Sequence, residues 1–349
     1  MLKILVEETN SWNKYLPSIS EEETDIYFKE EYVKLYENDE TEAKSFVYKE
    51  DGKIFLFPYL KRRIATKILS ERYYDLESQY GYGGPICNTD DKNFQHLAIK
   101  EFFNFCFNKN IVCGFFRFHP LLENHSTFSE TKGISFDRNT VVIDLELSEE
   151  EFWNNQIHSK HRNEIRKAEK SGLEFIVDKD FEYLNDFISL YKKRMSNLGA
   201  SSYYFFDERY YSNIKLNLKQ NGFLGIVKLE EEIISAAIFF KYCIYGHYHL
   251  SASNENYLKY YPNQFLIYKT ALHLKEIGIK KFHLGGGRTT DTNDSLFKFK
   301  NRFSKSLCDF YIGKFTFNKD IYNKLITDWE EKYPSKVLEY NDYFTRYML

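Results

Sequence analysis

Two short glycine clusters are the first places in this sequence where residue type and spacing could support chemistry. Only 16 of the 349 residues are glycine, yet six of them fall into two groups: Gly81, Gly83 and Gly84, and Gly285, Gly286 and Gly287. Glycine lets a backbone approach a ligand closely. The second cluster, with Arg288 after it, could form a loop whose N–H groups face a phosphate or a thioester. A tight exit from the preceding strand explains the same residues equally well, because the spacing matches no phosphate-binding motif.

Lys300 is the strongest candidate for a catalytic side chain. Leu296, Phe299 and Phe303 recur at helical spacing and define one apolar face. Lys300 follows Leu296 by four residues and lies beside Phe299, so a helix could carry its ammonium group into a partly apolar cleft where Phe299 lines the substrate. The charge could then stabilise a developing oxyanion. The alternative is a surface lysine whose stem covers apolar area.

Other residues near the clusters each have one functional and one structural interpretation. Asp294 either caps the helix that carries Lys300 or acts as a proton acceptor or orienting group beside it. Tyr80 and Tyr82, with Gly84, offer two phenols beside exposed backbone, which suits a sugar or a nucleotide. Aromatic packing of a turn is the structural alternative.

Two further segments are candidates for contact with a substrate. Arg162, Arg166 and Lys167 lie in the densest cationic run of the chain and could meet a diphosphate or a tRNA backbone, although charged helix faces are usually only solvated. Tyr204, in the aromatic segment 203–206, is a candidate wall of an acceptor groove, with core packing as the alternative.

Metal, disulfide and covalent nucleophile chemistry are not indicated. His247 and His249 alternate along a predicted strand, but no third ligand is spaced to join them, so we expect His249 to hydrogen-bond a substrate and we expect no metal. The five cysteines are widely spaced without a CxxC pair, which favours reduced thiols. No Cys or Ser lies in a nucleophile motif such as GxSxG.

Composition excludes several classes of protein. A charged fraction of 28% and a mean hydropathy of −0.55 fit neither a disordered chain nor an integral membrane protein. The net charge of −3 provides no global field for DNA. The apolar run Met1–Val6 is too short for a signal peptide. We therefore expect a cytoplasmic protein without a membrane span, for which peripheral membrane contact stays open.

The chain is long enough for two domains, and its apolar periodicity predicts a mixed α/β fold. Asp51 and Gly52 predict a hairpin in the first half. A capping-box signature predicts one helix over 148–171, followed by strand, two helices, a three-strand meander, helix, strand, helix and strand. We expect the two halves to span 1–147 and 148–349.

The element order of the second half is that of the GNAT-type acyltransferase fold, and ordered motifs sharpen the resemblance. In chain order these are YGYGGP (80–85), RNEIRKAEKSG (162–172), HLSAS (249–253), YPNQFL (261–266), FHLGGG (282–287), DSLFKFK (294–300) and FYIGK (310–314). Together they resemble the Fem aminoacyltransferases, which build peptidoglycan cross-bridges, and their acetyltransferase-like relatives. The resemblance covers roughly residues 75–315 of the chain.

This resemblance implies tandem GNAT-like halves with the acceptor in a cleft between them, and transfer of an acyl or aminoacyl group to an amine. It also implies that Lys300 lends its charge to the oxyanion. Fem enzymes take the group from aminoacyl-tRNA, whereas many relatives are expected to use a thioester. The second half contains no long heptad segment, so the chain is similar to relatives without the tRNA-gripping helical hairpin. The chain has Gly83-Gly84-Pro85 where cross-bridge enzymes more often have an Arg-Gly-Pro triplet, and the loss of that cation argues against a lipid-linked peptidoglycan acceptor.

The leading hypothesis is an N-acyltransferase that moves an acyl group from acyl-CoA to the amine of an aminosugar or cell-envelope precursor by direct attack. The acceptor is expected to be a small-molecule or lipid-linked sugar from polysaccharide biosynthesis. One alternative uses aminoacyl-tRNA as donor, with tRNA as partner. Another is a non-catalytic GNAT-like protein that binds a glycan precursor. We also expect the two glycine clusters to border one cleft.

Overall fold

The computed structural model describes residues 4–349, so the first three residues of the N-terminal apolar run lie outside the described residues. The chain divides into two compact units. Unit 1 contains the chain up to Asp137 together with Asp309–Leu349, and unit 2 contains Arg138–Cys308. Within residues 4–349, no helix has the length and apolar character needed to cross a membrane.

Unit 1 is built on a mixed sheet with helices. Its elements, together with the strand that leads into unit 2, are in chain order β1 (Ile4–Thr9), α1 (Glu30–Val33), β2 (Thr41–Glu50), β3 (Lys53–Arg63), β4 (Tyr74–Glu77), β5 (Ile86–Cys87), α2 (Lys92–Asn108), β6 (Ile111–Arg117) and β7 (Ile134–Asp144). Strands β1 to β4 and β6 neighbour each other in that order, and β5 pairs with β3. The β4–β6 pair is parallel.

The predicted hairpin is confirmed between β2 and β3. Asp51 and Gly52 form its turn with φ of 48° and 85°, the left-handed values that a two-residue type I′ turn requires. Behind the sheet, the ring of Phe57 lies 4.7 Å from that of Phe116 and 4.9 Å from that of Phe102, measured between centroids. Such close aromatic pairs make up much of the core that holds α2 against the strands.

Unit 2 is likewise built on strands of mixed direction with helices. Its elements are α3 (Glu149–Glu151), α4 (Ser159–Lys170), β8 (Leu173–Asp178), α5 (Leu184–Asn197), α6 (Glu208–Asn217), β9 (Gly222–Leu229), β10 (Glu232–Tyr242), β11 (Tyr245–Ser253), α7 (Pro262–Glu276), β12 (Lys281–Gly285) and α8 (Ser295–Asn301). The strand order is β7, β12, β11, β10, β9, β8. Strands β11 and β12 are parallel, and α7 contributes Leu266, Ala271 and Leu274 to the core of the unit.

The chain returns to unit 1 through β13 (Leu307–Thr316) and ends after α9 (Lys319–Lys332). Strand β13 is antiparallel to β6, from Ile312 opposite Arg117 to Thr316 opposite Cys113. The two compact units therefore differ from the expected division at residue 147, because residues 309–349 pack with the N-terminal segment through this long-range strand pairing.

The prediction of a single helix over 148–171 is wrong. The capping box at Ser148 is present, but a π-helical turn, Phe152–Gln156, separates α3 from α4. Arg162 Nη1 reaches back and donates to the carbonyls of Asn154 at 2.7 Å and Ile157 at 2.8 Å. These bonds satisfy backbone groups that the break would otherwise leave without a helical partner.

Candidate functional site

Lys300 lies in the interior of unit 2, on the last turn of α8. Its side chain is buried, with the residue only 8% exposed. Its Nζ donates to the carbonyl of Gly286 at 2.8 Å and lies 5.9 Å from the ring centroid of Tyr248. The structure therefore excludes the surface-lysine interpretation and brings Lys300 to the second glycine cluster.

Burial lowers the pKa of Lys300 to about 8, while the charge of Asp294 opposes this shift. A lysine with this pKa is about 90% protonated at pH 7 and half neutral at pH 8. Its ammonium group has three N–H donors, and the Gly286 carbonyl accepts one. Lys300 can therefore offer a charged donor to a second acceptor at neutral pH.

Asp294 caps α8, as one of its two interpretations predicts. Its Oδ1 accepts hydrogen bonds from the backbone N–H groups of Leu296 and Phe297, both at 2.9 Å. Burial raises the pKa of Asp294, but hydrogen bonds from the backbone outweigh it, and the net pKa is below the usual value; the donors are Phe297, Arg288, Leu296 and Thr289. A carboxylate held in its ionised form in this way is a weak proton acceptor.

The Asp294 carboxylate packs directly against the second glycine cluster. A Cβ on Gly287 would lie 2.6 Å from Asp294 Oδ1, and a Cβ on Gly286 would lie 3.1 Å from the backbone oxygen of Asn139. Gly285 has a φ of 75°. The glycines are thus needed for close packing inside the unit, and Asp294 already occupies N–H groups expected to face a phosphate or thioester.

Two arginines form hydrogen bonds at the loop that contains the second glycine cluster and at the start of α8. Arg138 Nη1 donates to the Gly287 carbonyl at 3.1 Å, and Arg288 Nη2 donates to Ser295 Oγ at 3.4 Å. Arg288 was expected to face a ligand, whereas its contact lies within the loop and the start of α8. Arg138 gave no signal in the sequence, because it precedes the loop by about 150 residues.

His161 positions α8 from the neighbouring helix α4. Its Nδ1 lies 2.8 Å from Glu164 Oε2 and its Nε2 lies 3.0 Å from the Phe299 carbonyl. Burial lowers the pKa of His161, although both partners raise it. Phe299, expected to line the substrate, gives its carbonyl to this bond and packs its ring 5.6 Å from Phe303. The sequence signal that could have revealed this pair is the i, i+3 spacing of His161 and Glu164.

Two other cations of α4, Arg166 and Lys167, have contacts within unit 2. The guanidinium of Arg166 lies 5.2 Å from the Trp153 ring centroid, and Lys167 Nζ lies 5.7 Å from that of Tyr261. Both are cation–π geometries. Arg166 remains exposed, so its expected role in binding an anion stays a prediction.

His249 forms a second polar centre in unit 2. Its Nε2 lies 2.5 Å from the hydroxyl of Tyr210, and its ring packs 4.8 Å from Phe240. Burial, with a smaller contribution from His247, lowers the pKa of His249 to about 3. The imidazole is therefore neutral at physiological pH. Tyr204 lies on a short 3₁₀ turn and is 36% exposed, which leaves its phenol accessible.

The first glycine cluster lies in unit 1. The Tyr80 ring stacks on Tyr36 at 6.4 Å, and the Tyr82 ring meets Tyr27 edge-on at 5.5 Å. Gly84 has a φ of 94°, and a Cβ there would lie 2.6 Å from Asn124 Nδ2. This loop is therefore packed by aromatic and amide side chains, and both tyrosines keep partial exposure. The expectation that the two clusters border one cleft stays a prediction.

Sequence reasoning missed a buried pair in unit 1 beside this loop. His119 Nε2 lies 2.9 Å from Asp25 Oδ2, and both side chains are fully buried. The His119 ring packs 5.9 Å from that of Tyr82. Local spacing gives no signal for this pair, because the two residues are 94 positions apart.

Comparisons with protein families and with solved structures concern the fold of the chain. Residues 156–300 match the family model described as an acetyltransferase (GNAT) domain. A search of the curated proteins finds no match. FemX is similar in structure, with a TM-score of 0.68 and 14% identity over 91% of this chain and 99% of that chain.

Two further structures are similar at a TM-score of 0.51. L-PGS from Bacillus licheniformis is 17% identical over 75% of this chain and 82% of that chain. The tandem GNAT protein from the clavulanic acid biosynthesis pathway is 6% identical over 90% of this chain and 98% of that chain. Residues 156–300 therefore match a GNAT-type domain, and the fold of the chain is similar to that of FemX and of a tandem GNAT protein. The predicted Fem-type and GNAT-like resemblance is confirmed at the level of fold.

Proposed function

We propose that the protein is an N-acyltransferase that moves an acyl group from a thioester donor to the amine of an aminosugar or cell-envelope precursor. The observation that carries this proposal is the burial of Lys300, whose ammonium group is held by a single backbone carbonyl. Its pKa of about 8 keeps most of it charged at neutral pH. A buried donor of this kind suits an oxyanion that forms only during the reaction.

The proposed reaction is a direct displacement. The neutral amine attacks the thioester carbonyl carbon, and a C–N bond forms as the carbonyl oxygen becomes an oxyanion. Lys300 donates an N–H bond to that oxygen until the C–S bond breaks and the thiolate leaves. The amine loses a proton, which solvent or the thiolate takes up.

Three of the five cysteines are poor candidates for a covalent enzyme intermediate, which supports direct transfer. Burial raises the pKa of Cys87 to about 12 and raises that of Cys106 and Cys113 further. Thiols with raised pKa values are weak nucleophiles at neutral pH, because the thiolate is the reactive form.

For the acceptor, we propose that Tyr204 and the Tyr210–His249 pair contribute to binding in unit 2. Tyr204 supplies an accessible phenol, and the Tyr210–His249 pair supplies neutral groups that hydrogen-bond hydroxyls without attracting cations. In unit 1, Tyr80, Tyr82 and the Gly84 backbone are the proposed contacts, and Arg166 is the proposed contact for a phosphate on the acceptor.

Acyl-CoA is the proposed donor because GNAT domains typically use it and residues 156–300 match such a domain. The loop 285–288 does not fit the pyrophosphate of that donor through the N–H groups that Asp294 occupies, so no contact is assigned there. The similarity to FemX favours aminoacyl-tRNA as the second candidate donor. We propose action on a cytoplasmic precursor in cell-envelope or polysaccharide biosynthesis.

The test is a mass-shift screen of amino-sugar nucleotides with acyl-CoA and, in parallel, with charged tRNA. The wild type, Lys300→Ala and the matched variant Lys298→Ala are compared; Lys298 lies on the same helix but is exposed. We expect an acyl mass shift that Lys300→Ala loses and Lys298→Ala keeps. Full product formation by Lys300→Ala would refute the assignment. Binding of precursor by all three proteins without any product would support the non-catalytic alternative.

A further inference from the structure

A cavity of about 530 Å³ lies at one end of the unit 2 sheet. Its lining includes three lysines and one histidine against a single acidic residue: Lys179, Lys219, Lys241, His273 and Asp180. With the histidine neutral, three positive charges and one negative charge leave the lining at +2. A positive cavity in a chain of net charge −3 is a local feature of these segments.

The lysines of this cavity have few partners within residues 4–349. Lys179 and Lys219 form no ion pair or hydrogen bond there, and Lys241 Nζ donates to the carbonyl of Gln220 at 3.2 Å. Four separate segments bring these side chains together. Lys179 follows β8, Lys219 precedes β9, Lys241 lies near the end of β10 and His273 lies in the last turns of α7. Like charges gathered in this way repel each other unless an anion lies among them.

His273 faces the same cavity from α7. Its side chain is 14% exposed and lies 5.4 Å from the ring of Phe223. Burial lowers the pKa of His273, and the charges of Lys179 and Lys241 lower it further, against an opposing contribution from Glu276. The positive charges of Lys179, which follows β8, and of Lys241 on β10 therefore reach the imidazole.

We propose that this cavity binds a small molecule carrying a phosphate or pyrophosphate group, at a site separate from Lys300. Lysines are suitable point charges for phosphate, and Phe223, Tyr242 and Ile277 form an apolar and aromatic wall for an organic part. The volume lies within the range of small-molecule sites. Free phosphate and a phosphorylated metabolite share this chemistry.

The cavity and the Lys300 site lie at opposite ends of β12. Ile279 lines the cavity and precedes β12, whereas Gly286, which accepts the bond from Lys300, follows it. The five residues of this strand separate the two ends by about 13 Å. A ligand at the cavity is thus distinct from the acyl donor and acceptor proposed above.

The test titrates the full-length protein with inorganic phosphate, pyrophosphate and a nucleoside diphosphate, and follows the imidazole signals by NMR. His273→Gln assigns the His273 signal among the nine histidines. We expect pyrophosphate to shift this signal and to raise the pKa of His273, because a bound anion favours the imidazolium form. The double variant Lys179→Ala/Lys241→Ala is expected to weaken binding by at least about tenfold. Lys193→Ala, an exposed lysine on α5, is the matched control and should leave binding unchanged.

Tighter binding of the nucleoside diphosphate than of pyrophosphate would support a phosphorylated metabolite as ligand, and the reverse order would support the free anion. Equal binding by the double variant and the wild type would overturn the site. Equal weakening by the Lys193→Ala control would overturn it too, because it would show a general charge effect. These outcomes are independent of acyl transfer, so failure of one proposal leaves the other standing.

Discussion

Replacing Lys300 by methionine is expected to stabilise unit 2 while removing most turnover. Methionine is close to lysine in length and fills the same buried space without a charge. The expected loss of turnover is about 10²–10³-fold, the effect of removing one donor to an oxyanion. A gain in stability joined to a loss of activity would show that the lysine is kept for chemistry.

The size of the stability change follows from the shifted pKa of Lys300. The shift from 10.5 to about 8 corresponds to about 3 kcal/mol of cost for keeping the ammonium group charged in the folded protein. Methionine removes this cost, but it leaves the Gly286 carbonyl without its hydrogen bond, which costs about 1–2 kcal/mol. The net expectation is a variant more stable by about 1–2 kcal/mol at neutral pH.

The pH dependence of this difference tests its cause. In the unfolded chain the lysine is charged up to its ordinary pKa of 10.5, whereas in the folded chain it is charged only up to about 8. Between these values the unfolded state binds more protons, so the wild type gains stability as pH rises. The advantage of the methionine variant should therefore fall by about 2 kcal/mol between pH 7 and pH 9.5.

Urea unfolding measures this difference through the fluorescence of Trp153, the one tryptophan in unit 2. The matched variant is Lys298→Met, whose ammonium group is exposed and contacts Asn293; it should change neither the stability by more than about 0.5 kcal/mol nor the turnover. A Lys300→Met variant that is less stable than the wild type at pH 7 would refute the reasoning. A stability gain that does not change with pH would refute the assignment of the gain to a buried charge.

Four further variants test the surroundings of Lys300 and the core of unit 1. For the wild type we expect turnover to fall above about pH 8 as Lys300 loses its proton, and Lys300→Arg should abolish this fall because guanidinium stays charged; kcat against pH measures both. Asp294→Asn should move the fall to lower pH, since the carboxylate raises the pKa of Lys300; an unmoved profile would contradict their coupling. Gly287→Ala should lower kcat, because its Cβ would lie 2.6 Å from the Asp294 carboxylate; unchanged kcat would show that the loop tolerates displacement. Tyr347→Phe should destabilise unit 1 by about 1–2 kcal/mol, because the hydroxyl donates to the buried Asp75 at 2.9 Å; thermal unfolding of that unit measures it.

Local sequence patterns predict most helices and strands of the fold. The elements that these patterns do not predict depend on contacts between residues distant in the sequence. The turn at Asp51 and Gly52 and the amphipathic face of α8 depend on residues close in sequence. The break between α3 and α4 depends on Arg162, which reaches back to backbone carbonyls. Assignment of residues 309–349 to unit 1 depends on strands that pair across about 200 residues of chain. Neither the helix break nor the long-range strand pairing produces a periodic pattern of apolar residues that could be detected in a short segment of sequence.

In the candidate site, too, the sequence predicts the local elements but not the contacts between them. The helical pattern predicts that Asp294 and Lys300 belong to one helix and its cap, but only the folded structure shows that the Asp294 carboxylate packs against Gly287. A loop expected to offer N–H groups to a ligand thus offers them to its own carboxylate. In the sequence His161 only lies beside the cationic residues of α4, and its contact with the Phe299 carbonyl is visible only in the folded structure.

The arrangement around Lys300 argues for chemistry over packing. A structural lysine would extend its ammonium group to water or pair it with a free carboxylate, since both lower its free energy. Here the group is buried and bonded to one carbonyl, and the nearby Asp294 is held by backbone N–H groups. Methionine or leucine would fill this space without a buried charge. The buried ammonium charge of Lys300 is unfavourable in the resting protein, but it would be stabilised by an oxyanion formed during the reaction. Such an arrangement is expected of a site that is complementary to a transition state.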